Sequence, residues 1–242
     1  MQKALLLDVK KRNNREVVKL KMEKTFAHRR HEVVRDVPMV EDFMARWPAL
    51  FEVSEINAEF KRITTIPLQS KFLSQLDLYS DNLTRLFQKR GGQLGARLKT
   101  IIAQIADCND VDTGRECIIK GVCIYMGEDP ENLVREYVGM DENAINEAIE
   151  DTTVGIYVLK EHASRDETKD IGIVLEGIKV LQDLDNVALA VAMLFGLMYA
   201  LNLSYPADLR FTFEVVQKIF MELDGDKLSN KALTLKNRLF QC

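Results

Sequence analysis

VALAVAMLFGLMYAL, residues 187–201, runs fifteen residues without a charge, and its reading decides the fold. As a helix it spans about 22 Å at 1.5 Å rise per residue, short of the roughly 30 Å hydrocarbon core of a bilayer. Asp183, Asp185 and Asn186 stand directly before it, and acidic flanks anchor a membrane span poorly. The stretch therefore reads as a core helix, 186–203, and no membrane partner is expected. Beyond it, Pro206 opens another helix to Leu223, whose Leu209, Phe213, Val216, Phe220 and Leu223 recur at 4, 3, 4 and 3. That spacing is the helical period. Asp224-Gly225-Asp226 makes a turn, and Leu228–Phe240 closes the chain as a helix.

Upstream, the pattern switches. Val154–Leu159 and Ile171–Leu175 with Ile178–Val180 are dense in β-branched residues, and polar Lys160–Asp170 separates them. This predicts one β-hairpin near 153–181, lying against helices because two strands alone are marginal. Before it, helices are predicted over 39–47, 54–63 with Ser54 as cap, 67–90, 93–106, 112–126, 130–138 and 141–150. Pro38, Pro67 and Pro130 mark helix starts, and Gly91-Gly92 stops the longest one. The fold class expected is mainly α, a multi-helix globular domain over 36–242 with one hairpin.

Residues 1–35 form a separate expectation, a basic helical extension. They hold eleven Lys/Arg and four Asp/Glu, while the remainder holds 22 and 33. A single helix over Leu5–Val33 has a thin apolar stripe of Leu6, Val9, Val17, Leu20 and Ala27, interrupted at Asn13. Such a helix gains little from burial by itself. It is expected to lead in from something upstream, to contact an acidic partner protein, or to pair two copies of the chain. The contact residues predicted are Lys11, Arg12, Arg15, Lys19, Arg29 and Arg30. Nucleic acid is the alternative partner, since a basic helix follows a phosphate backbone. Against it, Phe26 is the block's one aromatic and the pI is about 5.6. Asp107–Asp151, with thirteen acids against Arg115, Lys120 and Arg135, is the opposing block.

The 242 residues carry a formal charge of −4 and 47% apolar residues, outside the disordered class. Gly and Pro make up about 7%, below the usual share of roughly 12%, which disfavours a β-sandwich. Cys108, Cys117, Cys123 and Cys242 fit no zinc or C-x-x-C spacing, and Cys117 and Cys123 read as small core residues. Leu5–Leu7 is too short for a signal peptide. A reducing compartment, cytoplasmic or nuclear, is expected.

No catalytic constellation emerges, so a non-enzymatic protein without cofactor is expected. His28 and His31 share a helix face but lack further ligands nearby in sequence, and His162 lies in a charged loop. Asp224-Gly225-Asp226 looks superficially like a calcium loop, yet Leu228 and Leu235 occupy positions that need oxygen ligands. Gly91-Gly92-Gln93-Leu94-Gly95 precedes a helix and suits a phosphate in principle. A helix precedes it, however, and the P-loop Lys-Ser/Thr is missing, so it reads as a terminator. Glu128/Asp129 and Asp141/Glu142 read as helix-start acids.

The strings HRRHEVVRDVPMVEDFMARWPALF (28–51), ITTIPLQSKFLSQLD (63–77) and GRECIIKGVCIYMGEDPE (114–131) carry a resemblance. So do TTVGIYVL (152–159), DIGIVLEGIKVL (170–181), LMYALNLSYP (197–206) and FMELDGDKLS (220–229). Over about 15–240 the chain resembles the carboxy-terminal region of vertebrate sterile alpha motif domain-containing protein 3-like proteins. The resemblance implies no activity or catalytic residue. Members often bear an amino-terminal sterile alpha motif, which associates with itself or other proteins. This chain starts inside the basic helix, so that module is expected to be missing from it.

Overall fold

A computed structural model describes residues 14–107, 110–161, 168–225 and 227–241. Helices α1 (Arg15–Lys24), α2 (Phe26–Asp36), α3 (Val40–Arg46), α4 (Val53–Thr64), α5 (Leu68–Gln88), α6 (Gly92–Asp107) and α7 (Val111–Met126) come first. Then follow β1 (Val134–Val138), α8 (Glu142–Glu150), β2 (Val154–Lys160), β3 (Thr168–Leu175) and β4 (Ile178–Leu181). Helices α9 (Val187–Ala200), α10 (Arg210–Val215, continued by a π turn over Val216–Phe220) and α11 (Asn230–Leu239) complete the order. The protein is mainly α, as expected.

Helix α9 is the centre. It is apolar all round because it is covered all round: thirteen of its fourteen residues are buried. It packs against α4, α5 and α7 and against β2 and β3. Gly196 permits close approach to α4 and α5, since a Cβ there would stand 2.4 Å from Leu68 Cδ2 and 2.7 Å from Ile56 Cγ2. Asn186 starts the helix by accepting the Leu189 N–H at its side-chain oxygen. No helix among the described residues is long and apolar enough to cross a membrane.

The hairpin is present but belongs to a larger sheet of order β1-β2-β3-β4. Val134–Val138, expected inside a helix over 130–138, is instead a strand. Pro130–Asn132 makes one short 3-10 turn, and β1 then pairs parallel to β2, with Val134 opposite Ile156. Helix α8 is the crossover that a parallel pair needs. The far arm of the expected hairpin is two strands, β3 and β4, joined by Glu176-Gly177. Both turn residues have positive φ, 52° and 79°, which suits a two-residue hairpin turn.

Alternation along the strands sends the two faces to different places. Ile156, Val158, Ile171, Ile173 and Leu175 join the main core beside α9, whereas Tyr157 and Val174 meet Tyr137, Ile145 and Ile149 under α8. The sheet is thus covered on both faces.

The amino-terminal segment departs most from expectation. Thr25 separates α1 from α2; its hydroxyl donates to the Lys21 carbonyl at 2.6 Å, so it competes with the helix ladder. The buried face is Val18, Met22, Thr25, Arg29 and Val33. The described part of the thin apolar stripe lies on the other face: Val17 is 43% and Leu20 51% exposed. Val18, Met22 and Val33 lie in the main hydrophobic core. Leu6, Val9 and Asn13 lie outside the described residues. Ser54 sits within α4 rather than capping it, because Glu52 is the capping position. Val37, left-handed at φ 44°, ends α2, and Pro38 follows.

Candidate functional site

The six cations expected to form one contact surface have four different fates. Lys11 and Arg12 lie outside the described residues. Arg15 and Lys19 are exposed on α1. Arg30 donates to the Tyr199 carbonyl at 2.9 Å and is tied to the end of α9. Arg29 is 1% exposed and not on the surface at all, a correction to the expected contact set. Its Nε donates to Glu59 Oε1 at 3.0 Å and its Nη2 to Glu59 Oε2 at 2.6 Å, the two-pronged pairing that a guanidinium favours. Its Nη1 donates to Thr25 Oγ1 at 2.6 Å, and the guanidinium carbon lies 5.5 Å from the Trp47 ring centre. Arg62 holds the same Glu59 carboxylate at 2.7 Å from the solvent side.

This cluster has a structural consequence. A charge buried to this degree is tolerated when paired and fully hydrogen-bonded. Arg29 is paired with Glu59 and donates from each of its three guanidinium nitrogens, and in doing so it fixes α2 on α4. Trp47, fully buried, donates its indole N–H to Glu32 Oε2 at 2.9 Å and adds a second tie to α2.

What remains on the outer side of α1 is mixed. Val17 and Leu20 are exposed, with exposed Glu16, Glu23 and Lys24 three or four positions from Leu20, while exposed Arg15 and Lys19 lie further round the helix. His28 packs edge-on to Trp47, with ring centres 5.8 Å apart, which accounts for it without a metal. Among the described residues no group of three or more His, Cys, Asp or Glu is arranged to hold a metal ion. His162 and Asp226 lie outside the described residues.

Part of the acidic block is also paired. Arg115 pairs with Asp77 at 2.7 Å and with Asp112 at 3.0 Å. Lys120 bridges Glu116 at 2.6 Å and Glu136 at 2.7 Å, and Lys160 reaches Glu136 at 2.8 Å. Burial pushes the Glu136 carboxyl upward, but the two lysines more than offset this and hold it at about 2. Glu128, read from sequence as a helix-start acid, is buried and caps a helix distant in sequence. Its carboxylate accepts from Phe211 N at 2.7 Å, Thr212 N at 2.8 Å and Thr212 Oγ1 at 2.6 Å, at the start of α10. Its spacing signal gave no hint of that partner.

Cys117 and Cys123 are buried free thiols. Burial pushes the Cys123 thiol up to about 12, so it stays protonated and unreactive at neutral pH. Cys108 and Cys242 lie outside the described residues. Gly91-Gly92 does end one helix and open the next, with Gly92 at φ 70° as the first residue of α6.

A family model described as the helical domain of sterile alpha motif domain-containing protein 3 matches residues 1–52. The match takes in α1, α2 and α3 as far as Glu52, and so covers the buried Arg29 and the exposed Val17 and Leu20. It supports membership of the chain in the sterile alpha motif domain-containing protein 3-like family. No curated protein and no solved structure gives a match.

Proposed function

We propose that this chain is a non-enzymatic protein-interaction module that binds a partner protein through the outer face of α1. The observation that carries the reading is the pair Val17 and Leu20, one turn apart and about half exposed on a helix whose inner face is locked into the core. Large apolar side chains on a rigid, solvent-facing helix present area that a partner helix buries without reorganising the module. Glu16, Glu23 and Lys24 stand three or four residues from Leu20, so the matching partner is an apolar protein segment with flanks of mixed charge.

Nucleic acid draws less support as the ligand of these helices. Arg29 is consumed by Glu59, Arg30 by the Tyr199 carbonyl, and Glu16 and Glu23 interrupt the exposed cations. A phosphate backbone favours an uninterrupted row of positive charge.

The test is proximity labelling in cells with the chain and with its Val17→Asp/Leu20→Asp variant, after equal folding is confirmed by thermal melting. Loss of a defined set of labelled proteins from the variant is expected. An unchanged set overturns the reading. Sedimentation equilibrium on both proteins identifies a second copy of the chain as the occupant if the native protein alone dimerises.

A further inference from the structure

Positive charge that no acid among the described residues answers is found where the turn at 89–91 meets the last helix, α11. Two clefts of about 460 and 310 Å³ adjoin the turn between α5 and α6, and they share Arg90 and Arg238. Lys89 lines the larger and Lys231 the smaller. Among the described residues no Asp or Glu lines either, and Lys89, Arg90, Arg238 and Lys231 make no ion pair. Other clefts of similar size differ: one holds Glu222 and Asp224 beside Lys218 and Lys236, another Glu214 beside Arg210 and Lys218.

Tyr125, at the end of α7, organises this corner. The Arg90 guanidinium carbon stands 5.5 Å from its ring centre, and Arg238 Nη1 donates to its hydroxyl at 3.0 Å. Two guanidinium groups from elements far apart in sequence are thereby set around one phenol. Lys231 is used structurally, since its Nζ donates to the Met126 carbonyl at 2.9 Å and lies 4.2 Å from the Phe211 ring centre. Lys89, Arg90 and Arg238 are left, in a protein whose net charge is −4.

We propose that this double cleft binds a soluble polyphosphate anion, with Arg90 and Arg238 gripping phosphoryl oxygens and Lys89 supplying a further positive charge. The arrangement suits a chain of phosphates better than a singly charged ion. Each planar guanidinium offers paired N–H donors that match phosphate geometry, and three cations need more than one negative charge to balance them. Gly91 also lines the larger cleft and leaves it open, for a Cβ there would meet nothing within 4 Å. The bland account of these cations is that they answer the negative carbonyl ends of α5, α7 and α11. Lys231 fits that account, as do Lys89 at the end of α5 and Arg238 in the last turn of α11, but the two guanidinium groups themselves reach a ring and a hydroxyl.

Calorimetric titration of the full chain with inorganic pyrophosphate, against sulfate at matched ionic strength, tests the proposal. Pyrophosphate is expected to bind at least tenfold more tightly than sulfate. Arg90→Gln and Arg238→Gln are each expected to weaken it about tenfold, the usual size of one charged hydrogen-bonding contact. Lys99→Gln, an exposed lysine on α6 outside both clefts, is expected to change nothing. Should either arginine variant fold poorly, exposed Lys89→Gln provides the comparison. Equal affinity for sulfate and pyrophosphate, or pyrophosphate binding unmoved by these substitutions, overturns the proposal and leaves the cations as helix-end partners.

Discussion

Arg29 and Arg90 carry the same guanidinium, yet one is core and the other is surface. Arg29 belongs to the most basic stretch of the sequence, and the fold spends it on Glu59, Thr25 and Trp47. Arg90 belongs to the Lys-Arg-Gly-Gly turn that ends α5. Its guanidinium lies over a tyrosine ring, and it lines a cleft together with Lys89 and Arg238. Density of charge along a chain is therefore a poor guide to charge on offer. What counts is whether folding brings an acid within reach, and that depends on residues dozens of positions away.

The largest effect that would break this contrast lies at Glu59. Removing its carboxylate in Glu59→Ala leaves Arg29 buried without its principal partner, with an expected loss of about 3–5 kcal/mol in urea unfolding. A loss under about 1 kcal/mol would mean that Arg29 relaxes to solvent and is no core residue.

Next come the two faces of α1. Met22, fully buried, should cost about 2–5 kcal/mol as Met22→Ala. Leu20→Ala, on the outer face, should stay within about 0.5 kcal/mol. Equal losses at both positions, measured by the same denaturation, would erase the distinction between anchoring and presenting faces.

At the cleft, the expectation is a smaller shift. Arg90→Gln gives up one stacking contact with Tyr125 at an exposed site, worth about 1 kcal/mol or less in thermal unfolding. A stability loss as large as that at Glu59 would place Arg90 among structural cations and end the comparison.

Much of the helical framework was legible because its residues satisfy one rule locally. Leu76, Tyr79, Leu83 and Leu86 recur at helical spacing, and all four are buried on α5. The apolar run of α9 required no partner to be read as interior. Strand β1 was not legible: Val134-Arg135-Glu136-Tyr137-Val138 has no clean alternation, and its identity comes from parallel pairing with β2. The Glu176-Gly177 turn did carry a signal, a glycine between two β-branched runs, that would have split the second arm of the hairpin. On α1, the outer stripe Val17 and Leu20 is as apolar as the inner Val18 and Met22. The inner face continues through Thr25 and Arg29, so apolar counting by itself does not show which of the two packs inward.

Periodicity, proline placement and an uncharged fifteen-residue run determined by themselves that this protein is mainly helical around α9. These features act over a few residues, within reach of backbone geometry. Which face of α1 turns inward, which arginine is neutralised and where three cations meet without an acid were decided by the tertiary structure alone. Each depends on a pairing energy between groups distant in sequence, and such an energy exists only once the chain has closed on itself.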